Sequence, residues 1–464
     1  MNRREFNQIA IGAAAAAALA PLSAHATARP QYKPKFAALW PEVDSFIRTH
    51  WDKSIAKSDE LPKPFVQSSP DWNFTFYWDN YFINLGLLRH KGFEYLARNS
   101  ADNLLFLVKK YGFVPNCNLS WGTNRSQPPY LSKMVREVYE TSVTKDRGWL
   151  RQAYDTLGDE YRFWIDDVEH PIERHNTDIP GLQRYSHHAS REDRLVFYRD
   201  VLVPRFHFPL DVSDDEKMKA VEPYLAEAAS GMDFTPRFEH RCDEFAALDL
   251  NVLLYLYEIN FDYFARELGL AGQPDWFAAA EKRKQLIHQY FWDDRRGLFM
   301  DYDSTNRRTS KVACCTAFMP MWAGISTTKQ ANRLRENLSL FEYAWGLATC
   351  EKTEQKFRYQ WDYPNGWVPL HALVVGALEN GGFHADAVRV ASKYCDLVAR
   401  NYQNPTPAES TADGKTTKRA SGRLYEKYNV VTGEIADTEY TAFEGLGWTA
   451  GVFVFAHEVA RRAL

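Results

Sequence analysis

The sequence predicts an all-α fold, and three observations carry that prediction. Segment after segment sets apolar residues at helical spacing; strand-like alternation is scarce; and two segments, 245–264 and 368–378, are apolar nearly all round. A helix apolar on every side is buried on more than one side, so helices must pack around other helices. Taken alone, the periodicity allows any large helical array.

In chain order, residues 93–111 carry a helical stripe that Gly112 stops. Segments 132–144, 147–167, 244–268 and 275–291 read the same way. So do 310–322, 329–340, 368–378, 384–402 and a last segment ending at Leu464. Residues 27–41 lead in without a clear role. Residues 168–215 form a long excursion containing His170, His175, His187, His188 and His207, whose spacing is not that of a metal site; the stretch reads as a surface insertion. Residues 404–424, polar and holding Pro, Gly, Ser and Thr, read as a mobile loop, either a lid or exposed slack.

Composition narrows the function. Of 464 residues, 45% are hydrophobic and 25% charged, which is ordinary for a globular protein, while 15% are aromatic, enough for a large core or an aromatic-lined cleft. A formal net charge of -4 argues against nucleic acid or an anionic membrane as partner. Residues 1–26 read as an export signal: Arg3-Arg4, Phe6, then an alanine-rich run ending at Ala24-His25-Ala26. A twin-arginine signal is expected, with the mature chain starting near Thr27 in the periplasm or outside the cell; an ordinary secretory signal is the alternative. The run is too short to span a membrane. The six cysteines (Cys117, Cys242, Cys314, Cys315, Cys350 and Cys395) lack metal-like spacing. Disulfides are allowed in an oxidising compartment but not required, and Cys314-Cys315 read as buried small hydrophobes.

The stretch Gln360-Trp361-Asp362-Tyr363-Pro364-Asn365-Gly366-Trp367 is hard to explain as packing alone. Pro364, Asn365 and Gly366 form turns, which places rings, amides and an acid on a loop entering the helix at 368. Such a loop suits a sugar, with C–H faces on rings and hydroxyls on amides and acids; a buried aromatic corner is the alternative. Trp78-Asp79 repeats the pairing of ring and carboxylate.

QWDYPNGW resembles a defining motif of the trehalases, glycoside hydrolase family 37. Further elements follow in that family's order: Trp78-Asp79; Pro115-Asn116; Asn124-Arg125-Ser126-Gln127-Pro128-Pro129; Ala229-Ser230-Gly231-Met232-Asp233-Phe234; Asp249-Leu250-Asn251; Glu426-Lys427-Tyr428; Glu439-Tyr440; and Gly445-Leu446-Gly447-Trp448. The resemblance implies an (α/α)6 barrel with long irregular insertions, formed as one catalytic domain from residues 27–464. It implies Asp233 as general acid and Glu439 as general base, with Glu444 as the local competitor for the base. Trp78, Asp79, Asn116, Arg125, Gln127, Gln360, Trp361, Asp362, Trp367 and Trp448 would hold the sugar. No metal or cofactor is implied, the only partner being a small sugar, and a monomer is expected.

Some elements depart from the family. Where trehalases carry PGGRF, this chain has Ser68-Ser69-Pro70-Asp71-Trp72, with Asp71 at the arginine; where they carry R-P-E-S-Y it has Arg194-Leu195-Val196-Phe197-Tyr198, with Val196 at the glutamate. The glycine run before Glu439 is Glu434-Ile435-Ala436-Asp437-Thr438. The expectation is thus an inverting α-glycoside hydrolase splitting α,α-trehalose into two glucoses, with another α-glucoside or α-mannoside, or sugar binding without catalysis, as alternatives.

Overall fold

Helices alternate between an inner and an outer ring in the computed structural model of the chain, which describes residues 32–463 apart from 71, 169–173, 355–358, 410–415 and 446. In order, the barrel helices are α1 (Trp40–His50), α2 (Asp79–Leu87), α3 (Glu94–Tyr111), α4 (Leu131–Thr141), α5 (Arg147–Ile165), α6 (Leu248–Leu268), α7 (Trp276–Tyr290), α8 (Met319–Trp322), α9 (Thr328–Asn337), α10 (Val368–Asn380), α11 (His384–Gln403) and α12 (Gly447–Ala460). The even-numbered helices form the inner ring. α2 packs on α4, α4 on α6, α6 on α8, α8 on α10, α10 on α12, and α12 returns to α2. This is an (α/α)6 barrel, and α6 and α10, apolar all round, are inner helices buried along their length. The outer helix α11 is amphipathic, with Val390, Leu397 and Val398 turned inward.

Local chemistry sets the ends. Asp146 caps α5 by accepting from the Trp149 N–H at 2.9 Å. α3 stops at Gly112, whose φ of 84° is the left-handed turn expected there. The segment expected over 310–322 is helical only from Cys315, as a 3-10 turn followed by the short α8. Pro320 sits in the first turn of α8, where its missing N–H costs least, and it keeps an α-helix from starting further upstream. The lead-in is not idle. Asp396 of α11 accepts from the Tyr32 hydroxyl at 2.8 Å, the Phe36 N–H at 3.0 Å and the Trp40 indole at 3.0 Å.

The excursion is inserted between α5 and α6 and is structured. It holds helices Arg191–Phe197, Val203–Phe206 and Asp214–Ala228, two of them started by capping boxes at Ser190 and Ser213. Tyr198, Leu202, Val221 and Leu225 bury themselves with Phe234 and Tyr359 as a second apolar cluster. Its histidines pin it down: His187 lies 2.7 Å from Glu222, and His175 packs on Trp164 at 4.5 Å. His170 lies outside the described residues. In the polar stretch 404–424, Ala408–Glu409 and Thr416–Thr417 pair as antiparallel strands. All six cysteines are buried and free.

The ring closes where α2 crosses α12, and the crossing depends on glycine. A Cβ on Gly451 would stand 2.0 Å from the Phe82 carbonyl oxygen and 2.8 Å from the Ile83 Cα, both backbone atoms that cannot yield. Gly451→Ala must therefore push the two helices apart, and the expected cost is about 3 kcal/mol, the upper end of ordinary overpacking. Thermal unfolding checks this; an unchanged melting temperature would mean the closure is loose.

Candidate active site

The N-terminal ends of inner helices converge on one end of the barrel, around a cavity of about 430 Å³, within the ~300–1,000 Å³ range usual for small-molecule sites. Trp78 and Asp79 open α2, Trp448 lies in the first turn of α12, and Trp367 immediately precedes α10. Helix N-termini carry positive partial charge, which suits carboxylates and hydroxyls. A larger cavity, about 770 Å³, opens elsewhere, near the C-terminal ends of α2, α4, α10 and α12. Many of its charged groups pair with each other, as in Arg89–Glu458, Arg462–Glu379, Lys133–Glu137 and Arg136–Glu140.

Rings line the smaller cavity. Trp361 stacks on Trp367 at 3.8 Å and 7°, and Trp78 and Trp448 stand against them at 5.6–6.4 Å. The loop holding them is tied from within, because the Gln360 carbonyl accepts from the Asn365 amide at 2.9 Å and the Trp367 indole at 2.8 Å. Residues Asn365–Trp367 also pair as a strand with Lys427–Asn429, which brings the later motif alongside. Asn116, Arg125 and Gln127 come from the loop between α3 and α4. Gln127 accepts from the Trp78 N–H at 3.1 Å, so this loop and the start of α2 hold each other.

Asp233 follows a close approach. Gly231, at φ 73°, lies so near the Trp78 ring that a Cβ would meet it at 2.8 Å. The Asp233 carbonyl accepts from the Gln360 amide, and its carboxylate lies 3.0 Å from Arg205 Nη1. Glu439 sits at φ 64° in a turn held by the Lys427 ammonium on the Thr438 carbonyl (3.1 Å) and by Glu426 accepting from the Phe443 N–H (3.2 Å). Its two oxygens accept from the Gln360 N–H at 3.0 Å and from Arg205 at 2.7 Å. One guanidinium thus bridges Asp233 and Glu439. Burial pushes the Glu439 carboxyl up, Arg205 opposes this, and the Asp233 charge adds to it.

Arg205 belongs to the excursion and escaped the sequence reading. Nothing in its neighbourhood marks it, since Val203-Pro204-Arg205-Phe206 reads as an ordinary loop. Arg194, the arginine of the motif-like stretch, is instead engaged with Glu222 and the Ala189 carbonyl. Val196 is exposed, and Asp71 lies outside the described residues.

The other expected residues divide. Trp78, Asp79, Asn116, Arg125, Gln127, Gln360, Trp361, Trp367 and Trp448 line the cavity with Asp233. Asp362 does not: it is fully buried behind the wall, where its carboxylate caps the turn by accepting from the Tyr363 N–H at 2.7 Å. Glu439 does not line the cavity itself; its partner Arg205 does. Glu426, Tyr440 and Glu444 line the cavity as well, and Glu444 leans toward Arg423 at 3.6 Å.

Two of the lining acids are poised near neutrality. Burial pushes Asp79 up to about 7, opposed by Ser68 and reinforced by Glu426. Burial likewise brings Glu426 to about 7, with Lys427 opposing and Asp233 adding. Folded Asp79 keeps its proton to pH about 7, whereas the unfolded chain loses it near ~3.9. Stability from this group is present at low pH and lost as pH rises through that window. Asp79→Asn is therefore expected to raise the melting temperature at pH 8, by roughly 1–4 kcal/mol in stability, and to change little at pH 4. Equal melting at pH 8 would show that the ionised acid finds a compensating partner.

The trehalase family model matches residues 21–459. A probable trehalase of Eremothecium gossypii is 28% identical over 90% of this chain and 61% of its own. A cytosolic neutral trehalase of Kluyveromyces lactis is 28% identical over 90% and 60%. The chain thus spans about 60% of the length of these curated relatives. In fold, the chain is similar to the neutral trehalase Nth1 of Saccharomyces cerevisiae (TM-score 0.68, 24% identity, 90% of this chain and 81% of that one). A mannosylglycerate hydrolase of Thermus thermophilus shares the fold at 16% identity (TM-score 0.59, 90% and 99% covered). The expected periplasmic or secreted location is corrected by these comparisons. The Kluyveromyces lactis relative is named cytosolic, and the family match begins at residue 21, inside the segment assigned to export, which itself lies outside the described residues. Among the described residues, no helix is long and apolar enough to cross a membrane.

Proposed function

The chain belongs to the trehalase family, and on that premise we propose that it is an inverting glycoside hydrolase that converts α,α-trehalose to two glucoses. The observation that carries the reading is Arg205, which lines the tryptophan-walled cavity beside Asp233 and holds both Asp233 and Glu439 on one guanidinium. In this reading one glucose lies among Trp78, Trp361, Trp367 and Trp448. Asp79, Asn116, Arg125, Gln127 and Gln360 take its hydroxyls. Asp233 passes its proton to the glycosidic oxygen as the bond to the anomeric carbon breaks. Glu439 takes a proton from the water attacking the opposite face of that carbon. The guanidinium of Arg205 lies between the two carboxylates, and the attacking water in this reading takes its place beside Glu439 as Arg205 turns toward substrate. Residues 27–464 act as one catalytic domain, and a single chain is sufficient.

A second reading, turnover of another α-glucoside or an α-mannoside, is favoured by one observation: the motif-like Arg194 is engaged with Glu222 instead of the cavity. One experiment separates the readings. Glucose release from trehalose is followed by proton NMR in the first minutes. Inversion yields one β-glucose and one α-glucose per event, and retention yields α-glucose from both halves. Turnover of a different α-glycoside without trehalose hydrolysis would move the substrate, and sugar binding without any turnover would remove the enzyme reading.

A further inference from the structure

The cavity does not end at the four tryptophans. Beyond them, at its mouth, stands a second group of rings. Trp72 stacks on Phe74 at 5.4 Å and meets Phe443 edge-on at 5.2 Å; Phe74 and Phe76 approach Trp121 edge-on at 5.7 and 6.0 Å. Trp72, Phe76, Trp121 and Phe443 line the same cavity as Asp233 and Trp361, so shelf and site are continuous.

Exposure distinguishes the two groups. Trp361 is 2% exposed, whereas Trp121 is 47% and Phe443 42% exposed. The inner tryptophans are packed into the barrel, as walls that surround one ring of a bound sugar. The outer rings are held by one another, and Trp121, on the 3-10 turn Ser120–Gly122, leaves much of its surface to solvent. A soluble protein keeps few clustered exposed aromatics unless they meet something. The turn is also built to hold Trp121 in place. A Cβ on Gly122 would sit 2.3 Å from the Cys117 Sγ and 2.9 Å from the Cys117 N, so the backbone is pressed against its own loop and cannot drift.

We propose that this outer shelf is an additional sugar subsite, and that the chain accepts glycosides with a third pyranose beyond the leaving glucose, that ring lying with its C–H face on Trp121. The proposal rests on the hydrolase reading above and deepens it. The shelf joins the cavity at its more exposed rings, Trp121 and Phe443, and Trp72 contacts Phe76 and Phe443 edge-on while Phe76 contacts Trp121. A flat, apolar and rigid surface suits the C–H face of a neutral sugar, whose hydroxyls remain in water around its edge.

The test uses two substrates, trehalose and a trisaccharide made from it by adding one α-linked glucose at the 4-hydroxyl of one ring, with the wild-type chain and Trp121→Ala. The expected result is a higher kcat/KM for the trisaccharide than for trehalose in the wild type. Trp121→Ala then lowers kcat/KM for the trisaccharide by about tenfold, the worth of one stacked sugar face's apolar area, through KM, and leaves trehalose turnover within twofold. Phe443→Ala serves as a second shelf variant with the same selective loss. Trehalose turnover with equal effects of Trp121→Ala on both substrates, or none on either, would overturn the shelf and leave the hydrolase reading standing. No turnover of either substrate by the wild type would overturn both.

Discussion

Glu439→Gln and Asp233→Asn each lower kcat for trehalose by ~10²–10⁴-fold, the usual contribution of a positioned acid or base, with the fold retained. The motive is their meeting on one guanidinium from opposite ends of the sequence. Their roles separate with α-glucosyl fluoride, whose leaving group needs little protonation. Asp233→Asn should keep turning over the fluoride, because its missing proton is no longer required. Glu439→Gln should lose the fluoride as well, since water still needs its base, and added azide should restore product as the β-glucosyl azide. Glu444→Gln belongs in the same series, because Glu444 lines the cavity directly while Glu439 reaches it through its pair with Arg205. Loss of fluoride turnover in Glu444→Gln with retention in Glu439→Gln would move the base to Glu444. Equal, small losses in all three would leave the catalytic pair unidentified among these acids.

The second large effect is at Arg205. Its guanidinium lies 3.0 Å from Asp233 and 2.7 Å from Glu439, with its plane over the Phe234 ring at 5.1 Å. Removing it takes away the charge that opposes burial at Glu439, so the Glu439 carboxyl, already raised, rises further. A base must be ionised to act. Arg205→Ala should therefore shift the acidic limb of the kcat/KM profile to higher pH and lower kcat near neutrality by ~10²–10³-fold, as loss of one preorganised charged donor does. Arg205→Lys keeps the charge but not the fork that reaches both carboxylates. It should restore the position of the limb and recover only part of kcat. A profile whose limb stays in place in Arg205→Ala would show that Glu439 does not titrate against Arg205, and would confine the arginine to holding the excursion in place.

The sequence points to some of these residues and is silent on others. Asp233 and Glu439 were nominated by the resemblance of their motifs to those of the trehalases, since an Asp after Ser-Gly taken alone reads as a helix cap. The tryptophans read from residue types equally as a sugar wall or a buried aromatic corner, and the motif resemblance favoured the wall. Asp362 shows the limit of that signal. It sits in the densest motif of the chain, yet it is buried outside the cavity lining, where its carboxylate accepts from the Tyr363 N–H. Arg205 shows the converse. Its local sequence is bland, and its importance comes only from the helices of the excursion, which bury Tyr198 and Leu202 and so carry the arginine to the cavity. The helix α2 was missed for a related reason: all of its nine residues are buried, so no polar face gives it a period.

By itself, the sequence determined that the chain is a helical array and where most helices start and stop, while the motif resemblance nominated acids and rings for sugar chemistry. Those are properties of composition, spacing and neighbouring residues, which act over one or two helical turns. The tertiary structure decided which acids share a space, that the excursion belongs to the site, and that a shelf of exposed rings continues it. Those depend on closing six helix pairs into a ring, which brings residue 79 beside residue 448 and residue 205 between residues 233 and 439. Such meetings are set by the packing of whole helices, with glycine at the closest crossing, and leave no period or motif in the chain to read.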